Sequence, residues 1–573
     1  MSYPRTPEGV ILVLLGFAMV VFAVGVSNDS YAKFLLGEID GDLRWGPTLF
    51  RILLVLHGAL LVTLGLTRKA PTPDEGGMPA RLDKESKTTP MVTGFLVVLS
   101  IIALVLRLWN LNSDLWIDEV FTLLDFVRKP FGQILTSFPS QNQHMLFSIL
   151  GYTSTSIFGE SSWSLRLPSV LFGVGSIWAF FYLCKRLLGI REALLGCTLM
   201  TVSYHHIWFS QNARGYMGLL LFTLLATWCW LEALEKNEWR WWLGYTASVV
   251  LGMWIHPTMA FMVAAQGLIH LILLASPKLS GDPISGISVE RRAGLKPFAS
   301  WLLSITVTLQ FYALALPEFL TVGIHEESTD SEWTSPIWVL TETVKGLSIG
   351  FAGIIIVICG GALVAFGWVC LFRTNRRAAV LMFLPALLAG GTMLQLGHNL
   401  WPRFFFFSMG FGLLIVIHGA MQMPKLIVHY FRPFKEAPLF ASFAGVGFSL
   451  LMILASLITL PKNYALPKQN FSGAKTYVES HISPGDGIVA ISLAGVVYGS
   501  YLTPYWPVAR TGPELATLQQ GIDRVWLVYT LPIEVKAVRP DLWRMIEKEY
   551  EVVQVFPGTL NGGEVFVCQK RIN

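Results

Sequence analysis

Apolar residues gather in fourteen blocks along the chain, at about 9–26, 49–66, 92–111, 143–159, 166–184, 190–209, 214–233, 240–256, 258–275, 298–316, 350–371, 377–396, 403–421 and 438–460. Most are about 17–25 residues long, the length a helix needs to cross hydrocarbon. Such blocks predict spanning helices, because a helix satisfies its backbone hydrogen bonds internally. The block at 143–159 is short and rich in Ser, Thr and Gly, and predicts a juxtamembrane or partly inserted helix. After Leu460 the pattern changes, with Pro461, Lys462 and Pro467 marking the end of the last helix. Helix-like periods at Ala474–Ile482 and Asp541–Tyr550 alternate with β-rich runs at Gly487–Ser492 and Val525–Tyr529. Glu551–Phe556 and Glu564–Cys568 are expected to pair as strands.

The expected fold is thus an all-α polytopic membrane protein of about thirteen transmembrane helices with a small C-terminal α/β extramembrane domain. Three parts are expected. Residues 1–91 hold two N-terminal transmembrane helices and a cytoplasmic linker. Residues 92–460 form the main membrane domain, and 461–573 the extracytoplasmic one. Composition agrees: 53% of residues are hydrophobic and 14% charged, against about a quarter charged in soluble proteins.

Charge sets the expected orientation. Lys and Arg cluster at 67–91, at Lys185, Arg186 and Arg191, at Arg291, Arg292 and Lys296, at Arg373, Arg376 and Arg377, and at Lys425, Arg432 and Lys435. These loops are expected inside, with 112–142, 210–213, 317–349, 397–402 and the C-terminal domain outside. The N-terminus is then cytoplasmic. The net charge of +5 is mostly this topological Lys and Arg, and gives little support to a nucleic-acid partner. The first block has only Arg5 before it and no small-residue cleavage site after it, which predicts a retained helix. Six cysteines, with no CxxC spacing, predict no disulfide framework.

The candidate chemistry lies at the outer level. Trp116, Asp118 and Glu119 follow a long apolar helix, and adjacent carboxylates at an interface can supply a general base. Gln143-His144, Ser210–Tyr216 with Arg214, His256-Pro257 and His398–Arg403 fall at the same level. Arg214 and Arg403 break the positive-inside trend, and guanidinium groups match phosphate geometry. Each residue alone reads equally well as a helix cap or a snorkelling side chain. Four clusters on one side favour a site for a phosphorylated lipid. Asp118, Glu119 and His144 are candidate ligands for a divalent cation, whose presence the sequence leaves open. Two further acidic groups compete: Glu38, Asp40 and Asp42, and the run Glu318, Glu326, Glu327, Asp330 and Glu332.

These motifs resemble the GT-C glycosyltransferases. The nearest branch holds protein O-mannosyltransferases, lipid A aminoarabinose transferases and bacterial transferases with an RgtA/B/C/D-like domain. Trp116-Ile117-Asp118-Glu119 is similar to the Asp-Glu motif of their first outer loop. Gln143-His144-Met145-Leu146 stands in place of their His-Pro-Pro-Leu segment, with Met145 where a Pro is usual. Phe158-Gly159-Glu160 through Arg166-Leu167-Pro168-Ser169, and Ser210–Tyr216, match further segments. The resemblance implies a polyprenyl-phosphate sugar as donor, moved at the outer face to a hydroxyl of a glycan, lipid or protein. Lys570-Arg571-Ile572-Asn573 is not an ER-retention signal, which favours a bacterial inner membrane as the expected location. The resemblance also implies Asp118 as general base, Glu119 as its partner, Arg214, Arg403 and His256 at the donor phosphate, and His144, Tyr216 and Trp116 around the substrate. A transporter or lipid flippase is the alternative, and would predict charges in mid-helix.

Overall fold

The computed structural model describes residues 7–37, 43–67, 89–275, 294–323, 335–350, 354–430, 438–502 and 506–571. Glu38, Asp40 and Asp42, the acidic residues 326–332, and the basic residues of 68–88, 291–292 and 432–435 lie outside the described residues.

Every apolar block becomes helical. The helices in chain order are α1 (Pro7–Gly25), α2 (Asn28–Leu36), α3 (Gly46–Thr67), α4 (Pro90–Leu108), α5 (Ile117–Phe121), α6 (Phe131–Thr136), α7 (Met145–Phe158), α8 (Ser162–Leu187), α9 (Ile190–Thr201) and α10 (Tyr204–Ser210). They continue with α11 (Tyr216–Lys236), α12 (Trp239–Ile255), α13 (Met259–Ala275), α14 (Lys296–Tyr312), α15 (Pro336–Gly350), α16 (Ile354–Thr374), α17 (Arg376–Gln395), α18 (Met409–Tyr430) and α19 (Pro438–Ala465). Among the described residues, nine helices are long and apolar enough to cross a membrane. Three more, α12, α13 and α14, have 17 residues each, the lower end of the spanning range. The chain is an integral membrane protein. Its flanks carry lipid-type surface: Leu14, Phe17, Phe95 and Ile101 are exposed on α1 and α4.

Three expectations need correction. The block 190–209 is not one helix. It breaks at Val202-Ser203, where the Ser203 hydroxyl accepts from the His206 amide and starts α10 afresh. The block 403–421 opens as a 3-10 turn, Pro402–Ser408, before α18 begins. Pro461 does not end the last helix, which runs on to Ala465. A proline costs a helix one amide bond and a clash, and here the final turn absorbs it. The weak block gives α7, 14 residues long, about 21 Å at the helical rise against the ~30 Å hydrocarbon core.

Small residues let neighbouring helices approach closely. A Cβ on Gly58 would lie 2.6 Å from the Gly16 carbonyl oxygen, so α1 and α3 pack backbone to backbone.

Beyond α19 comes a five-stranded sheet, β1 (Gly487–Ile491), β2 (Val508–Ala509), β3 (Val525–Thr530), β4 (Tyr550–Phe556) and β5 (Val565–Lys570), in the order β2-β1-β3-β5-β4. β2, β1 and β3 are parallel, while β5 runs antiparallel to β3 and β4. The β4–β5 pairing is the one expected from the sequence. All six residues of β3 are buried, as a central strand covered on both faces requires. One face, with Val489, Leu527 and Cys568, packs on Leu542 and Ile546 of the helix Pro540–Glu549. Trp526, Val528 and Val567 belong to the core that continues into the membrane helices. The two helical stretches expected from the sequence appear as Phe471–His481 and Pro540–Glu549.

Candidate active site

The carboxylate pair sits at the start of a helix, for reasons local to the sequence. Asn110 takes a left-handed conformation (φ 54°) after α4, a region that Asn tolerates better than most residues. The chain then turns through 111–116 into α5. Glu119, in the first turn, accepts the Trp116 amide through Oε2 at 3.2 Å, one half of a capping box. The helix continues with π geometry from Thr122 to Val127, a local widening common near functional sites.

The two acids have different surroundings. Glu119 is fully buried. Arg166 of α8 forks onto it, with Nε to Oε1 at 2.8 Å and Nη2 to Oε2 at 2.6 Å. The Ala213 amide donates to Oε1 at 2.6 Å. Burial alone would raise the Glu119 carboxyl, but Arg166, Lys468 and the Ala213 amide outweigh it and hold the group below its ordinary range. Glu119 therefore ties α5 to α8 and to the turn that leads into Arg214.

Asp118 faces the other way. Its Oδ2 lies 3.4 Å from Arg403 Nη1 and 3.6 Å from Arg214 Nη1, and accepts no hydrogen bond among the described residues. Arg214 Nη1 also donates to Asn142 Oδ1 at 2.7 Å. Its Nε, and the Nε of Arg403, are buried and have no acceptor there. Arg403 lies over the rings of Trp401 and Trp116, at 4.8 and 5.7 Å. His144 closes one wall: its Nδ1 accepts the Gly215 amide at 3.1 Å. Its ring meets those of His256 at 4.7 Å and Tyr216 at 5.3 Å. Burial, and then Arg214, His256 and Arg403, depress the His144 imidazole well below its usual range. It is neutral at pH 7. A Cβ on Gly215 would lie 2.7 Å from the Ile255 carbonyl oxygen, so only glycine lets this turn approach.

The structure thus brings together all eight residues singled out from the sequence: Trp116, Asp118, Glu119, His144, Arg214, Tyr216, His256 and Arg403. Both Glu119 oxygens are engaged by protein donors. Of the candidate cation ligands Asp118, Glu119 and His144, the Asp118 Oδ2 and the His144 Nε2 have no hydrogen-bond partner among the described residues. Glu119 is engaged, His144 Nδ1 is engaged, and Asp118 faces two guanidinium groups whose charge opposes a metal ion. Among the described residues no three His, Cys, Asp or Glu side chains gather as a ligand set. Glu318, from the competing acidic run, instead accepts the Phe138 amide at 2.5 Å.

Several contributors escaped the sequence reading. Arg166 lay inside a matching motif but had no assigned role. Arg107, fully buried at the end of α4, bonds His206 Nδ1 at 2.7 Å and Ser210 Oγ at 3.2 Å, bracing the turn that carries Arg214. Lys468 and Gln469 come from beyond the last membrane helix, some 350 residues along the chain. The Lys468 ammonium donates to the Gln211 carbonyl and lies 5.1 Å over the Trp208 ring. Burial lowers its pKa to about 7, opposed by Glu119 and aided by Arg166. An unfolded Lys titrates near ~10.4. Between those values the unfolded chain binds more protons, so this group makes stability rise with pH from about 7 upward. Lys468→Met should flatten that part of the melting-temperature profile, measured between pH 6.5 and 9.5 in detergent. An unchanged slope would refute the assignment.

Comparison with known proteins supports the resemblance. Residues 145–284 match the family described as dolichyl-phosphate-mannose-protein mannosyltransferase. The stretch includes Arg166, Arg214, Tyr216 and His256. Two proteins of Bacillus subtilis (strain 168) are similar. "Putative mannosyltransferase YkcB" is 27% identical over 135 residues, 24% of this chain and 19% of that protein. "Putative mannosyltransferase YycA" is 30% identical over 108 residues, 19% of this chain and 16% of that protein. The matches thus span less than a fifth of these relatives' length. Among solved structures, ArnT from Cupriavidus metallidurans bound to undecaprenyl phosphate aligns with TM-score 0.45 and 14% identity, over 83% of this chain and 98% of that one. The oligosaccharyltransferase AglB from Archaeoglobus fulgidus aligns with TM-score 0.45 and 11% identity, over 83% and 74%.

Proposed function

We propose that this protein is a GT-C-type glycosyltransferase that moves a sugar from a polyprenyl-phosphate donor to an acceptor hydroxyl on a glycan, lipid or protein. The observation that carries this reading is Asp118: a carboxylate oxygen accepting no hydrogen bond, set against two arginines that keep buried N–H groups in reserve. That combination suits a reaction that needs a base and releases an anion. The acceptor oxygen attacks the anomeric carbon, the bond from that carbon to the phosphate oxygen breaks, and the hydroxyl proton passes to Asp118. Arg214 and Arg403 receive the negative charge that develops on the leaving phosphate. His144, neutral, and Tyr216 and His256 shape the wall beside it. Trp116 and Trp401 offer flat surfaces beside the arginines.

The family match over 145–284 supports this reading, and the comparisons lend none to a transporter or flippase. The basic loops support an orientation with the N-terminus inside and the site, with the sheet beyond it, outside, and we read the membrane as the inner (plasma) one. We read 1–91, 92–460 and 461–573 as three parts, the first an addition to the catalytic one.

The test is transfer from a panel of radiolabelled polyprenyl-phosphate sugars to a crude lipid and glycan extract, with the protein in nanodiscs. Label in a new product supports the reading. No transfer and no binding of undecaprenyl phosphate, from folded protein, would overturn it. Arg214→Ala should weaken undecaprenyl-phosphate binding about tenfold to a hundredfold, the loss of a charged hydrogen bond. Unchanged affinity would remove Arg214 from the phosphate site.

A further inference from the structure

Three side chains from one short segment, 468–472, reach back to the two stretches that hold Asp118 and Arg214. The Lys468 ammonium bonds the carbonyl of Gln211. The amide and hydroxyl of Ser472 donate to the Asp114 carboxylate at 2.7 and 2.8 Å. Between them, Gln469 is fully buried and uses its whole amide. Its Oε1 accepts the Ile117 amide at 2.8 Å. Its Nε2 donates to Thr530 Oγ1, at the end of β3, at 2.9 Å and to the Gly563 carbonyl, before β5, at 3.1 Å.

Ile117 opens α5, so its amide has no partner within the helix. Asp118 is the next residue. We propose that Gln469 is a positioning residue for Asp118, the link through which the C-terminal sheet holds the carboxylate between its two arginines. The proposal rests on the glycosyl-transfer reading for its catalytic consequence, though not for its structural one. Gln469 does not touch the reacting atoms; it acts through the backbone of α5. A glutamine suits the place because it must accept on one side and donate twice on the other. Glutamate keeps the bond to Ile117 and loses the one to the Gly563 carbonyl, with Thr530 able to turn its hydroxyl onto the carboxylate, while alanine loses all three. On this view the sheet has a catalytic purpose, since undocking it releases the first turn of α5.

The test uses the full chain in nanodiscs and two readouts. Hydrogen–deuterium exchange is followed over residues 114–121. Transfer from the radiolabelled polyprenyl-phosphate sugar that wild type accepts is measured with Asp118→Asn beside it. Gln469→Ala should speed exchange of this segment about tenfold, the loss of one protecting bond. It should lower kcat about tenfold or more while the donor KM stays within about twofold. Gln469→Glu should leave exchange at Ile117 near wild type and give an intermediate kcat. Wild-type exchange in Gln469→Ala, or an effect on KM alone, would overturn the proposal. If Gln469→Ala fails to fold, Thr530→Val, which removes one of the two sheet-side bonds, should shift both readouts the same way by a smaller amount, and no shift there would overturn it. Should wild type transfer no sugar, or Asp118→Asn transfer normally, the functional reading falls while the exchange result still decides whether Gln469 holds α5.

Discussion

Asp118→Asn is expected to lower transfer by about 10²–10⁴-fold, the usual contribution of a positioned general base. The side chain is 13% exposed and its Oδ2 accepts no hydrogen bond among the described residues. An amide of the same shape therefore removes the proton acceptor without leaving a protein donor unpaired. It also removes the negative charge between Arg214 and Arg403. Those two cations, no longer balanced, should bind a phosphate more tightly. The variant should thus show a collapse of kcat together with unchanged or stronger binding of undecaprenyl phosphate. That split separates a base from a binding group, whose loss would raise KM. Normal kcat in a folded, inserted Asp118→Asn variant would sink the assignment. Loss of kcat with loss of phosphate affinity would point to a structural role instead.

The parts of this protein legible in its sequence are those set by local periodicity. Fourteen apolar blocks gave helices because a spanning helix must be continuously apolar, and the β4–β5 pairing followed from two short β-rich runs. The candidate site residues stood out because Asp118, Arg214, His256 and Arg403 are polar at the outer ends of apolar blocks, two of them within segments that resemble family motifs. What periodicity does not encode is partnership across the chain. Asp118 and Glu119 are neighbours with the same chemistry, yet one faces Arg214 and Arg403 and the other is sealed against Arg166. A helical step of about 100° separates them, and only the packing of α8 and the turn at 211–214 decides which way each points. Nor does a local pattern show that Gln469 meets Ile117, or that Val202-Ser203 breaks a helix so that Arg107 can reach His206. A buried polar contact of this kind depends on residues far apart in sequence.

Arg166→Ala should be the most destabilising single substitution in the site. Arg166 and Glu119 are both fully buried. Besides its fork onto Glu119, Arg166 donates to the carbonyls of Leu111 at 2.8 Å, Ser113 at 2.9 Å and Asp114 at 2.8 Å. Removing it strands a buried carboxylate and three carbonyls at once. Breaking a buried pair from one side costs roughly 3–5 kcal/mol. Arg166→Lys should recover only part of this, since one ammonium cannot reproduce the planar fork. Glu119→Gln should also be costly, because whichever way its amide turns, its NH2 faces an Arg166 N–H and a backbone N–H, and the buried guanidinium loses its counter-charge. The pairing also fixes a pH dependence. Glu119 is held below its ordinary range, so the stability it contributes is present above about pH 4.3, the unfolded value. It is lost as pH falls through the lower folded value. Unfolding in nanodiscs or mild detergent, followed for wild type, Arg166→Ala, Glu119→Gln and the double variant, gives the coupling between the two side chains. A coupling of about 0.5–3 kcal/mol is expected for groups in direct contact. A value near zero, or a cost for Arg166→Ala under about 1 kcal/mol, would mean that α8 does not brace the helix bearing Asp118. The orientation of the base would then need another support.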